Sequence, residues 1–277
     1  MKYIIENFSS LNELIRATTT RPANAVFKDK KLSSNTDDTE FTHTRNFDEA
    51  IDLLRNGYEK PLEQIKKGVE TQTKGMTAQR TTVRNDVVGY APCVPNAILG
   101  IPQSMINKET IAKKAKIVNI IFDTTGAWYT KEEQFIKAGI AVLTIVNSLE
   151  LNGYRVSLKV VFKNSREHDE SVMGSVTVKD WRQPLDLKKM AFPFCHPSML
   201  RRFGFRWLET QPRLTERGFA FGYGTSVASA DSYDTIVKNL TENKVLGEND
   251  KYLNIKFCEE HGFDAQAIAK ACGLNNN

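Results

Sequence analysis

The run Ile117-Val118-Asn119-Ile120-Ile121-Phe122 constrains this chain more than any other stretch. It is almost continuously apolar, as a central strand is when both faces of its sheet are covered. Such a strand needs helices packed against it, and the sequence downstream provides them in alternation. Residues 123–129 read as a loop, about 131–152 as a helix closed by Gly153, and 155–162 as an alternating strand. Residues 175–181 make a third strand. Asp186 then opens a helical stretch, interrupted near Pro193 and Pro197, that runs to about Leu208. A short strand at 219–223, a helix at 232–243, a strand at 252–257 and a helix at 264–272 complete the order. The expectation is an α/β fold, a mainly parallel sheet covered by helices on both faces. The short link between the second and third strands predicts one antiparallel hairpin within it.

Upstream of this unit, 117–277, the pattern is weaker, and residues 1–116 read as a small helical and irregular region packed on the core. Residues up to about Asp38 form a lead-in, with a serine cap at Ser9-Ser10 before a short amphipathic turn. Residues 28–40 are polar and loop-like. Phe47-Asp48-Glu49-Ala50-Ile51-Asp52-Leu53-Leu54 predicts a helix ended by Gly57, and 62–69 resumes helical spacing. Residues 71–85 are polar and basic with almost no apolar anchor, which predicts a mobile segment. Residues 87–105 combine apolar side chains with three prolines and two glycines, which predicts a buried, ordered connection that packs the N-terminal region onto the rest.

Composition narrows the class. The chain has 277 residues, 40% hydrophobic and 26% charged, ordinary values that exclude wholesale disorder. Met1-Lys2-Tyr3-Ile4-Ile5-Glu6 breaks its apolar run too early for a signal peptide. The stretch 138–151 contains Thr144, Asn147, Ser148 and Glu150 and is too short and polar to span a bilayer. No membrane partner is expected, and the reading is cytoplasmic. Cys93, Cys195, Cys258 and Cys272 lack a repeated spacing and read as free thiols. Net charge is +5 but unevenly spread. Residues 60–116 carry ten Lys/Arg against four acids, and 179–217 carry nine against four. Residues 231–264 reverse the sign with eight acids against four lysines, so the fold can segregate a basic and an acidic face.

The element order of residues 117–274 resembles a von Willebrand factor A-like domain. In that family the first strand ends in an Asp-x-Ser/Thr-x-Ser metal motif, matched here by Asp123-Thr124-Thr125-Gly126-Ala127. Ala127 stands at the third ligand position and offers no oxygen. Arg182-Gln183-Pro184 and Gly222-Tyr223-Gly224-Thr225 follow the third and fourth strands, where that family has a threonine and an acid. Too few oxygen ligands remain for Mg²⁺, so the likeness implies topology and no metal. A second resemblance covers most of the chain and is to a group of uncharacterised bacteriophage proteins. Phe47-Asp48-Glu49-Ala50 with Gly57, Asp86-Val87-Val88-Gly89 and Gly100-Ile101-Pro102-Gln103-Ser104-Met105 carry it. Leu149-Glu150-Leu151-Asn152-Gly153-Tyr154-Arg155-Val156 and Ala191-Phe192 to Met199-Leu200-Arg201-Arg202 continue it. It implies phage origin and a host-cell cytoplasm, and no activity.

Catalytic motifs are weak. Cys195-His196 are adjacent, and adjacent residues seldom face each other as nucleophile and base. Cys258 and His261 have the spacing of half a zinc site, but neither Cys195-His196 nor Cys93 makes a second half. Asp123 ends a strand where α/β enzymes place acids, with Asp169 and Glu170 in another loop; helix capping is an equal alternative. No Walker-type loop, G-x-G-x-x-G or H-E-x-x-H is present. No catalytic residue and no cofactor are therefore expected. The more suggestive run is Arg201-Arg202-Phe203-Gly204-Phe205-Arg206-Trp207, continued by Arg213 and Arg217-Gly218-Phe219. Arginines among aromatics can neutralise phosphates and stack bases. The bland alternative is core aromatics with arginines on a solvated face. The sequence thus predicts a non-enzymatic nucleic-acid-binding protein, single-stranded DNA before duplex, regulating phage transcription or replication as an early protein. Arg201, Arg202, Arg206, Arg213, Arg217, Lys113 and Lys114 are its expected contacts. The alternative is a protein–protein interaction module acting on a host or phage protein. Oligomeric state is not legible.

Overall fold

A computed structural model describes residues 2–19, 39–73, 82–109, 116–127, 129–166, 170–215, 232–247 and 249–274. The run singled out above is strand β5 (Ile117–Asp123), an interior strand next to the edge of a five-stranded sheet. The other strands are β1 (Lys2–Phe8), β6 (Arg155–Arg166), β7 (Glu170–Lys179) and β8 (Asp250–Asn254), and their spatial order is β1-β7-β6-β5-β8. β5 pairs in parallel with β6 and β8, β1 in parallel with β7, and β6 and β7 form the expected antiparallel pair. The mixed α/β class and mostly parallel sheet agree with the sequence reading.

Two apolar clusters mark the two faces. On one side Val118, Ile120, Phe122, Val156, Leu158, Val160 and Val176 meet the helices α6 (Glu132–Leu151) and α7 (Leu187–Cys195). Alternation sends Ile121, Val161, Met173 and Tyr252 to the other side, where Ile236 and Leu240 of α10 (Tyr233–Glu242) cover them. α6 is long and apolar enough to cross a membrane by length and composition, and it is a core helix here, with Phe135, Ala138, Val142 and Val146 buried. It approaches α7 closely at Gly139, where a Cβ would fall 2.4 Å from Phe194 O. α7 starts as predicted: Asp186 caps it by accepting from Lys188 N and Lys189 N. A π-helical turn, Met199–Gly204, leads into α8 (Phe205–Thr210) and α9 (Pro212–Thr215).

Several expectations are revised. The apolar start of the lead-in is β1, whose partner β7 lies far along the chain. Ser10 caps a full helix, α1 (Leu11–Thr19), through Glu13 N. Tyr252 and Leu253 end β8 instead of opening a strand to Phe257. Asn254 accepts from Phe257 N at 2.7 Å and starts α11 (Ile255–Glu260), followed by α12 (Ala265–Ala271). Between β1 and β5 lie α2 (Thr39–Thr42), α3 (Phe47–Asn56, ended by Gly57 as predicted) and α4 (Leu62–Thr73). The segment expected to be mobile contributes its ends to α4 and to β2 (Thr82–Asp86). Its middle, like the strand expected at 219–223, lies outside the described residues.

The largest revision concerns residues 87–105. They are not a buried connection. With their flanks they make a second, antiparallel sheet, β2-β4-β3, from β2, β3 (Ala91–Pro92) and β4 (Met105–Glu109), with α5 (Val94–Ile98) between β3 and β4. None of residues 84–107 is buried, and these elements pack chiefly on one another. They form an arm. Apolar composition permits burial but does not create a facing surface.

Candidate functional site

The arginine-rich run lies inside the protein. Arg202 is 0% exposed and Arg201 3%. Arg202 donates from Nε to Thr44 Oγ1 at 3.1 Å, and from Nη2 to Thr42 Oγ1 at 2.9 Å and Thr44 O at 2.7 Å. Arg201 donates from Nη1 to Phe41 O and from Nη2 to Thr130 O, both at 2.6 Å, and its guanidinium sits 4.1 Å from the Phe41 ring centroid. Arg206 donates from Nε to Thr18 O at 2.8 Å and lies over the Phe47 ring. Arg213, at the surface, meets Glu6 Oε2 at 2.5 Å, and Glu6 also accepts from Trp207 Nε1 at 3.0 Å. Phe203, Phe205 and Trp207 are buried, so the aromatics are core.

These contacts share a direction. From Arg201 to Arg213 each cation reaches back to α2, the 41–44 loop, α1 or β1. The run ties the N-terminal third onto the α/β core, the task the sequence reading gave to residues 87–105. A guanidinium suits it because five N–H donors in a planar fork can satisfy several backbone and hydroxyl oxygens at once. Arg202 and Arg206 therefore do not share a solvated face, and Arg201 and Arg202 are not placed to meet a polyanion. Arg217, Lys113 and Lys114 lie outside the described residues.

Asp123 sits at the C-terminal end of β5, where open α/β sheets bind ligands. Its carboxylate is buried. Oδ1 accepts from Thr125 N at 2.8 Å, and Oδ2 takes Lys163 Nζ at 3.0 Å and the Tyr252 hydroxyl. Lys163 Nζ also donates to Tyr252 Oη at 3.1 Å, and the Thr125 hydroxyl accepts from Lys163 N at 2.9 Å. The residues that the von Willebrand likeness brings to a metal do not fit one. An ammonium, a phenol and an amide already occupy the aspartate, and Ala127 supplies no oxygen. Among the described residues no three His, Cys, Asp or Glu side chains converge on a metal-sized point. Glu170 is not near this cluster. Asp123 is level with Val161 and Ser175, and Glu170 lies five residues further along β7, about 17 Å away. Asp169 lies outside the described residues.

The family described as a domain of unknown function, DUF7192, matches residues 2–272, nearly the whole chain. The chain belongs to the DUF7192 family. No curated protein and no solved structure matches it. In this DUF7192 fold burial works against the cysteine–histidine pairs as nucleophile and base. Burial pushes the Cys195 thiol far up, and burial also holds His196 down at about 3 against the opposing pull of Glu132. His196 accepts from Ser198 N through Nδ1, between the rings of Tyr58 and Phe192. A protonated thiol beside a neutral, stacked imidazole is no nucleophile–base pair. Burial likewise pushes Cys258 up to about 12, and His261 bonds its own helix at Phe257 O.

Two surface features bear on a partner. One is a cleft of about 380 Å³ lined by Glu40, His43, Tyr129, Lys131, Glu132 and Arg201 among others. Burial opposes ionisation of Glu132, but the Lys60 hydrogen bond at 2.9 Å and the His43 charge outweigh it and hold the carboxylate below its usual range. The other is the arm. Val88 is 75% exposed, Ile98 79% and Leu99 73%, with Val87, Tyr90, Val94 and Ile101 beside them in sequence. Elsewhere among the described residues only Ile117, Tyr129 and Leu151 are large, apolar and as open. The sequence held this signal, because residues 87–107 contain no Asp, Glu, Lys, Arg or His. Hydropathy alone predicts burial for this stretch, and the structure exposes it.

Proposed function

We propose that this DUF7192 protein is a non-enzymatic protein-interaction module whose contact surface is the arm of residues 82–109. One observation carries the reading: seven large apolar side chains stand exposed on residues 87–107 of the arm, a stretch with no charged and no buried residue. Contiguous exposed apolar surface marks a contact with another macromolecule, and its neutrality favours a polypeptide over a polyanion. The strand order β7-β6-β5-β8 with an antiparallel β7 supports a divergent von Willebrand A-like scaffold carrying that arm. The likeness to phage proteins favours a phage or host polypeptide as the partner. A photo-reactive residue placed at Ile98 should give a polypeptide adduct that one placed at Tyr129 does not. Absence of any polypeptide adduct from the arm would refute the reading.

A second reading, single-stranded nucleic acid, is favoured by the charge of residues 60–116, ten Lys/Arg against four acids. With Arg201, Arg202 and Arg206 engaged internally, it rests on Arg213, Arg217, Lys113 and Lys114. Titration with labelled single- and double-stranded oligonucleotides at two salt concentrations tests it, since phosphate-driven affinity must fall steeply with salt.

A further inference from the structure

We infer that the partner of the arm is a second copy of this chain, joined by antiparallel pairing of β2 with its symmetry mate about a two-fold axis at Asn85. The inference rests on the reading of the arm as an interaction surface. β2 is an edge strand of the arm's sheet, and an edge is a ready template for another strand. Charges on an edge ordinarily forbid such pairing, and β2 carries two, Arg84 and Asp86, which form an exposed ion pair at 3.0 Å. Placing the two-fold on Arg84 sets arginine against arginine, and placing it on Asp86 sets aspartate against aspartate. Placing it on Asn85 sets Arg84 opposite Asp86 of the second copy, twice. The segment is therefore self-complementary in one register, as a symmetric contact requires.

Charge and apolar surface point the same way. The chain carries +5, so two copies repel, but residues 87–107 contribute no charge to the contact. Seven of the ten large apolar residues exposed among the described residues belong to the arm. Among the described residues, only arm against arm matches a run of apolar surface with apolar surface. Seven such side chains expose on the order of several hundred Å² per copy, the scale of the roughly 800 Å² per partner that a stable interface buries.

The test is sedimentation velocity of the full chain from about 1 to about 100 μM. The expected mass is twice the 31.3 kDa of one chain. Asp86→Arg sets like charges opposite at both crossings and should weaken the dimer at least tenfold. Arg84→Asp combined with Asp86→Arg restores opposite signs and should recover it, which a mere folding defect would not. Circular dichroism checks that each variant is folded. A wild-type monomer throughout, a dimer indifferent to Asp86→Arg, or a double exchange that fails to recover would each overturn the inference. Adducts from Ile98 separate the two readings. A wild-type monomer that still gives a polypeptide adduct removes self-pairing and leaves the interaction surface, whereas no adduct removes both.

Discussion

Replacing Arg202 with alanine tests whether the basic run binds inward or outward. The side chain is fully buried, and its hydrogen bonds include those to Thr44 Oγ1, Thr42 Oγ1 and Thr44 O. Bonds of this kind to a charged group contribute about 1.5–3 kcal/mol each, and the sum is an upper bound because they share one donor group. Relief of the guanidinium's desolvation offsets part of the loss. The two threonine hydroxyls keep other partners, since Thr42 Oγ1 donates to Thr44 O and Thr44 Oγ1 bonds Ser198 Oγ. A net cost of about 3 kcal/mol follows, within the range for large-to-small changes at buried sites. For a chain of this size that lowers Tm by about 6–10 °C.

Arg213→Ala is the control. Its ion pair with Glu6 is more than half exposed on the arginine side, so about 1 kcal/mol or less is at stake. Thermal and urea unfolding followed by far-ultraviolet circular dichroism measure both. Arg202→Glu, harmless on a solvated face, should abolish folding, because it buries an anion among oxygen acceptors. If Arg202→Ala moved Tm by no more than Arg213→Ala, the inward assignment would be wrong and Arg202 would be an ordinary surface cation.

Lys163→Met should cost about 3–5 kcal/mol by leaving the Asp123 carboxylate buried without its cation; adding Asp123→Asn should recover much of it in urea unfolding. Gly139→Ala should cost about 1–3 kcal/mol, because its Cβ would fall 2.4 Å from Phe194 O and 2.5 Å from Cys195 Sγ; a stabilised variant would refute the α6–α7 contact. Stability should also depend on pH through His196. Its folded value of about 3 lies below the unfolded value near 6.5, so the unfolded chain takes a proton that the folded chain declines. That contribution is whole above pH 6.5 and is lost as pH falls toward 3, amounting to about 2 kcal/mol between pH 7 and 5. His196→Gln should flatten that slope in urea unfolding, and an unchanged slope would place the titration elsewhere.

Local periodicity made much of residues 117–274 legible. The alternation of β5, α6, β6 and β7, the cap at Asp186 and the stop at Gly57 each depend on neighbours within a few residues. The features that escaped depend on partners far away. β1 reads as an ordinary N-terminal stretch until Lys2 is set beside Glu170. Asp123 reads as a catalytic acid or a cap until Lys163 and Tyr252, from two other strands, close on it.

The arginine run and the arm fail as predictions for one physical reason, with opposite signs. Whether a side chain is buried is a property of the pair it forms and not of its own polarity. Arg202 can enter the core because Thr42 and Thr44, about 160 residues upstream, present three oxygens in the geometry of its fork. Ile98 and Leu99 stay in water because no described element of the same chain faces them. A rule that sorts residues by hydropathy sends both groups the wrong way. Once the acceptors are seen, the cations become the internal ties, and the apolar segment becomes the surface whose energetics are still open to a partner. Substitutions at Arg202 should therefore be read in unfolding, and those in the arm in association, with folding nearly unchanged because exposed changes usually cost under about 0.5 kcal/mol.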